Sequence, residues 1–238
     1  MKKLLLFLVL IPLLLASCKK DPEPQPVEIR SYVSIHSLLR EPFGVEWVVD
    51  GVTIPDEQAY GSRILGGVLL DEQTEEISFT ANNFDTGSQV ESLLLTMDMN
   101  KYYMIVLYGS ADEPSLVIQE AESARPQLGH VKFQFLHAAT TLDSVDVYMG
   151  STEVEDRVVT DMSFPELSGY FEVDDYKARN SVTVSEHGDV YDPEKEILNY
   201  EYNDLIVSEI NYFLVLGYAS GDTLSSELKL WLYDLPTE

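Results

Sequence analysis

The side chains best suited to chemistry in this 238-residue sequence are one cysteine, four histidines and 41 carboxylates, with two tryptophans able to stack on a sugar ring. His36 and His137 each close an apolar run, Tyr32-Val33-Ser34-Ile35-His36 and Phe133-Gln134-Phe135-Leu136-His137, where a strand is expected to enter a loop. An imidazole there can act as a base or a metal ligand, or it can bond loop backbone and fix a turn. Two copies of one catalytic group about a hundred residues apart would be odd, so the structural role is expected for both. The run Glu186-His187-Gly188-Asp189-Val190-Tyr191-Asp192-Pro193-Glu194 concentrates oxygen donors, and Asp189, Asp192 and Glu194 are its candidate ion ligands. Calcium needs roughly six or more oxygens from a shaped loop, and this spacing follows no calcium motif, so a solvated acidic loop without metal is the plainer expectation. Trp47 shares a face with Val45 and Val49 and is expected in a core. Trp231 and Tyr233, beside Lys229, form a candidate aromatic patch if they face outward; otherwise they cover a junction between domains.

Enzyme signatures are missing. The chain has no Gly-x-Ser-x-Gly elbow, His-Glu-x-x-His helix, P-loop or glycine-rich dinucleotide turn, and nothing implies a cofactor. Paired carboxylates suffice for glycoside hydrolysis, but among 41 acids a pair carries almost no information. The expectation is therefore a protein that is not an enzyme.

The single cysteine points elsewhere. Lys2 and Lys3 precede an apolar run, Leu4 to Leu15, broken only by Pro12, and the small residues Ala16 and Ser17 follow. The run is too short to cross ~30 Å of hydrocarbon and fits a signal-peptide core. Leu15-Ala16-Ser17-Cys18 resembles the bacterial lipobox, in which the cysteine is lipidated at sulfur and, after cleavage, at its new amino terminus. Residues 1–17 are thus expected to be a lipoprotein signal peptide, and 18–28, rich in proline, lysine and acids, a lipidated tether. More than one acyl chain makes such an anchor stable. A lipobox followed by lysine and acidic residues looks like lipoproteins of the Bacteroidetes type, which implies outer-membrane anchoring with the cell surface favoured over the periplasmic face. An acylated Cys18 also excludes a cysteine nucleophile.

Removing residues 1–17 takes away two lysines and no acids, leaving 13 basic and 41 acidic side chains, a net charge of −28. That balance repels nucleic acid and anionic lipid surfaces. It suits a soluble, self-repelling exposed protein.

Strand signals dominate. Val131, Phe133 and Phe135 alternate with Lys132 and Gln134, and Val145, Val147 and Met149 alternate with Asp146 and Tyr148. Ile77–Ala81, Ser181–Ser185 and Leu228–Tyr233 behave likewise. This is the period-2 pattern of half-buried antiparallel strands. Tyr102–Tyr108 and Tyr212–Leu216 are apolar on both faces and should be central strands. Asp50-Gly51, Asn82-Asn83, Thr86-Gly87 and Ser220-Gly221-Asp222 supply reverse-turn chemistry. Three blocks recur in the same order: Tyr32–Ser37 with Phe133–Ala138, Val45–Gly51 with Val145–Gly150 after a one-residue deletion, and Tyr102–Val106 with Tyr212–Leu216. The expected division is a first β-sandwich domain at 29–122, a linker at 123–128 containing Arg125-Pro126, and a second β-sandwich domain at 129–238.

The opening of the second copy, Val131-Lys132-Phe133-Gln134-Phe135-Leu136-His137-Ala138-Ala139 followed by Val145-Asp146-Val147-Tyr148, resembles the domain-of-unknown-function family 4397. Its members open with a strand ending in His-Ala and continue into a Val-Asp-Val-Tyr strand. The first copy is more divergent, with His36-Ser37 and Glu46-Trp47-Val48, and Thr140-Thr141-Leu142-Asp143 departs from the family's proline- and aspartate-rich loop. The resemblance implies tandem immunoglobulin-like sandwiches that are secreted or lipidated, and no settled activity. The expectation is an all-β lipoprotein of two tandem immunoglobulin-like antiparallel β-sandwich domains, serving as a non-catalytic structural or interaction module that binds a protein or a glycan. The rivals are a glycan-binding accessory of polysaccharide uptake, an adhesive fibre subunit, and a hydrolase. The sequence leaves the oligomeric state open.

Overall fold

The computed structural model describes residues 29–39, 43–55, 58, 61–122, 124–201, 211–218 and 228–235. The leader, Cys18, the tether, Ser123 and the Ser220-Gly221-Asp222 turn lie outside them.

The described chain is an all-β sandwich fold of two similar units. The first contains β1 (Ile29–Leu39), β2 (Val45–Val49), β3 (Val52–Thr53), β4 (Arg63–Leu70), β5 (Thr74–Asn83), β6 (Gln89–Asp98), β7 (Tyr102–Gly109) and β8 (Pro114–Glu120). They form two sheets, β4-β1-β7-β8 and β3-β2-β5-β6. The second contains β9 (His130–His137), β10 (Ser144–Met149), β11 (Arg157–Ser163), β12 (Glu166–Leu167), β13 (Phe171–Asp174), β14 (Val182–Glu186), β15 (Glu196–Tyr200), β16 (Asn211–Tyr218) and β17 (Leu228–Leu235). Its sheets are β12-β9-β16-β17, with β13 also on β9, and β11-β10-β14-β15. One short helix, α1 (Asp175–Asn180), is capped where the Asp174 carboxylate accepts from Tyr176 N. Pairing is antiparallel except for β1 with β7 and β9 with β16, which run parallel.

Alternation sends one face of each strand inward. Val33, Ile35, Trp47, Ile77, Phe79 and Ile105 fill the first core, and Phe133, Phe135, Val145, Val147, Val184 and Leu214 the second. Asp50 and Gly51 both have positive φ and turn β2 into β3, whereas Asn82 and Asn83 belong to β5 and Asn83 Oδ1 accepts from Asp85 N and Thr86 N in the turn that follows.

The register corrects the repeat read from sequence. Val33 pairs with Tyr103 as Phe133 pairs with Tyr212, and Ile35 with Ile105 as Phe135 with Leu214. Val33 thus corresponds to Phe133 and the inward Val45 to Val145, a shift of 100 residues in both cases, with no deletion between them. His36 corresponds to Leu136, and His137 to Ser37. The two histidines are one residue out of step and on opposite strand faces, because a one-residue slip exchanges the faces of a strand.

A third apolar cluster joins the units. Leu38, Met104, Val106 and Tyr108 from the outer face of sheet β4-β1-β7-β8 pack with Leu136, Phe213, Val215 and Tyr233 from sheet β12-β9-β16-β17. The runs in β7 and β16 are apolar on both faces because one side serves the unit's own core and the other this junction. Burying one such large side chain contributes about 1.5–3 kcal/mol.

Candidate functional site

The junction absorbs the tryptophan and tyrosine of the expected patch. Tyr233 is only 8% exposed and its ring packs at a tilt of 52° against His36, centroids 4.0 Å apart. Trp231 is half-buried, packs against the junction cluster, seats its ring over the α-carbon of Gly61 and carries Lys229 Nζ 4.0 Å from its centre. Trp231 and Tyr233 therefore form no solvent-facing platform, because their face of β17 is the one the first unit covers. Trp47 is fully buried, with Nε1 donating to Ser37 Oγ.

His36 lies inside β1, not at its end. It bonds Ser34 Oγ at 2.8 Å, and Arg63 Nε donates to the same oxygen. Burial and the facing Arg63 guanidinium hold its imidazole down at about 3. His137 Nδ1 accepts from Ala139 N at the turn after β9, and burial lowers it to about 4. Both are neutral at ordinary pH, and neither ring bonds a carboxylate.

Asp189, Asp192 and Glu194 do not converge on an ion. Asp189 offers its backbone oxygen to Arg157, and the Asp192 carboxylate accepts from Glu194 N to cap a single 3-10 turn. Among the described residues no group of three His, Cys, Asp or Glu side chains is arranged to hold a metal.

The most organised polar cluster centres on Asp146, which alternation places on a wet face but which is fully buried. A bulge in β11 sets two residues, Thr160 and Asp161, opposite it, and Asp161, at φ +49°, aims its N–H at Asp146 Oδ1. His187 Nδ1 reaches the same oxygen at 2.9 Å. Arg157 Nη1 at 3.2 Å and Gly188 N at 3.3 Å hold Oδ2. Burial alone would raise this carboxyl, but the His187 and backbone donors outweigh it and keep it below the usual range. The Asp146 bond raises His187 in turn. Arg157 also sits 5.6 Å from the ring centre of the buried Tyr148. A polar hollow of about 250 Å³ adjoins, lined by Thr141, Leu142, Asp143, Ser144, Glu186 and His187.

An Asp-oriented imidazole is half of a nucleophilic triad. Here the outward nitrogen, Nε2, faces Asp161 Oδ1 at 3.9 Å, and no hydroxyl bonds it among the described residues. The arrangement is a buried ion network that pins the loop after β14 to β10 and β11. Sequence reasoning missed it because its members are up to 42 residues apart; the signal available was the charged residue in an otherwise apolar β10.

A different feature marks the first unit. Between edge strand β4 and the two-residue β3 lies a cleft of about 380 Å³ lined by Val33, Val49, Ile54, Ile64, Gly66 and Val68, among others. Val52 and Leu69, also in its lining, stand exposed.

No family model matches the chain, and no curated protein is significantly similar to it. Solved structures are similar to the chain at low level, three of them as follows. One, described as α-glucan binding by a streptococcal virulence factor, is 17% identical, with 84% of this chain and 96% of that chain covered and a TM-score of 0.28. Another is the family CBM26 module CBMbc of Eubacterium rectale Amy13K in complex with maltoheptaose, 11% identical over 88% of this chain and 99% of that one, TM-score 0.24. A third, of family 41 carbohydrate-binding modules from streptococcal virulence factors, is 11% identical over 81% and 95%, TM-score 0.26. At these scores no residue of this chain takes a role from them.

Proposed function

We propose that this chain is a non-catalytic binding module, held at the bacterial outer membrane by acyl chains on Cys18 and displayed at the cell surface. The observation that carries the reading is the apolar cleft between β3 and β4, whose lining residues Val52 and Leu69 are exposed. Exposed apolar surface of this kind marks a contact site on a protein whose remaining surface is strongly acidic. The occupation of every Asp146 oxygen by structural partners supports a role without turnover.

The test combines labelling, turnover and binding. Palmitate label should enter the wild-type chain in cells and be lost in Cys18→Ala; label that persists would overturn the anchor. Chromogenic ester, glycoside and phosphate substrates should show no turnover, and turnover abolished by His187→Ala would overturn the non-catalytic reading. Soluble maltoheptaose serves as the sugar arm. Saturable binding to it, undiminished when the cleft is filled, would shift the module to the glycan reading and away from the cleft.

A further inference from the structure

The two units differ at one matched position, and the difference defines a vacancy of known shape. In the second unit Phe171 of β13 pairs with Phe133 and stacks on it, centroids 5.9 Å apart. Phe133 corresponds to Val33, and the residue paired with Val33 is Gly66 of β4. A glycine therefore stands where its counterpart carries an inward phenyl ring. No atom lies within 4 Å of where a Gly66 Cβ would be. The unfilled volume is the cleft, walled by Val33, Ile64 and Val68 on one side and by Val49 and Ile54 on the other.

The strand beside that vacancy is open. Among the described residues β4 pairs only with β1, so one row of its backbone N–H and C=O groups meets no neighbouring strand. The second unit closes the facing side with the seven-residue β11, where the first has only the two-residue β3. An exposed edge beside an apolar hole is the geometry of strand addition: main-chain bonds give affinity, and alternate side chains entering a pocket give specificity.

Resting on the binding-module reading, we infer that β4 accepts an extended segment of a partner protein, which adds to the edge and places one aromatic or large aliphatic side chain in the space above Gly66. Charge selects the partner. The chain carries a net −26, and Asp50 lies at the cleft while Asp71 and Glu72 follow the end of β4. A second copy of the same chain is repelled, and a segment with basic flanks is attracted.

A capped nine-residue peptide tests this, with Lys at both ends, Phe at the centre and Thr alternating with Val between. Its control has the same composition with Phe moved by one place, which turns the ring to the other face. The expected result is saturable binding of the first peptide to the full chain, at least tenfold weaker binding of the control, and slowed amide exchange at Ile64–Val68. Gly66→Phe should weaken binding of the first peptide at least tenfold while keeping the fold. Gly66→Leu is the second filling variant, since its backbone is not left-handed and its Cβ meets nothing. Equal binding by the wild type and a folded filling variant, or no binding by the wild type, would overturn the cleft as a strand acceptor. A wild-type dimer in sedimentation that Gly66→Phe dissociates would overturn the partner in favour of a second copy. Neither result touches the palmitate and turnover assays, so the binding-module reading stands or falls apart from this one.

Discussion

Arg63 Nη1 lies 2.8 Å from Asp234 Oδ1, two residues 171 positions apart that join the two units. The same guanidinium donates to Ser34 Oγ, to the Tyr102 hydroxyl and to the Asp234 backbone oxygen. Asp234 is 72% exposed, so water screens the carboxylate and the pair itself contributes no more than about 1 kcal/mol. A double-mutant cycle with Arg63→Ala and Asp234→Ala should return a coupling of about 0.5–1 kcal/mol in denaturant unfolding. Arg63→Ala alone should cost more than Asp234→Ala, because it also strips the donors to Ser34 and Tyr102.

The junction should make the two units unfold as one. Phe213 is fully buried among residues of both units. Phe213→Ala should cost about 3–5 kcal/mol. Phe213→Asp should split one calorimetric transition into two, and a single transition in that variant would show that the junction around Phe213 is not what couples the units.

Asp146→Asn should cost about 3–5 kcal/mol, because Arg157 and His187 lose the charge that holds them. Asp161→Ala should cost far less, since Asp161 contributes its backbone N–H to Asp146 and its side chain is 63% exposed. Chemical denaturation of both variants checks the ranking.

The histidines set opposite pH slopes. His36 and His137 titrate near 3 and 4 when folded, against 6.5 when unfolded. The stability they contribute is complete above 6.5 and is lost as pH falls from there towards 4 and then 3. His187 is raised by Asp146, so its contribution is present below its unfolded value and is lost as pH rises through its folded value, above 6.5. Nitrogen-15 titration of the imidazoles should show His187 alone among the three charged at pH 6.5, and His187→Gln should flatten the alkaline slope.

Gly61 has φ +73° and its missing Cβ would stand 2.3 Å from the Trp231 ring. Gly61→Ala should therefore cost at least about 1 kcal/mol from the left-handed backbone alone. Displaced from the junction, Trp231 should shift its emission to the red, while the buried Trp47 holds its own.

Much of the strand framework was legible because burial on one face writes a period of two into the chain, as in Val131, Phe133 and Phe135 of β9. The outer faces were not. Lys132 and Gln134 read as wet but are buried, the lysine between Glu122 and Glu172 at the seam and the glutamine donating to Ser168 O. What covers an outer face is decided by residues far along the chain, and local alternation holds no trace of them. Asp146 escaped for the same reason. The matched histidines misled because a short motif can align one residue away from its structural register and still look right. Gly66 was unreadable as a vacancy until Phe171 was seen in the matching place.

The two-sided burial of β7 leaves a signature for evolution to keep. Tyr103, Ile105 and Leu107 answer to the first core, while Met104, Val106 and Tyr108 answer to the second unit, so neighbours in one strand belong to separate packing communities. Substitutions among homologues should accordingly co-vary in two interleaved sets: one with Trp47 and Phe79, the other with Leu136, Phe213 and Val215, roughly thirty to a hundred positions further along the chain.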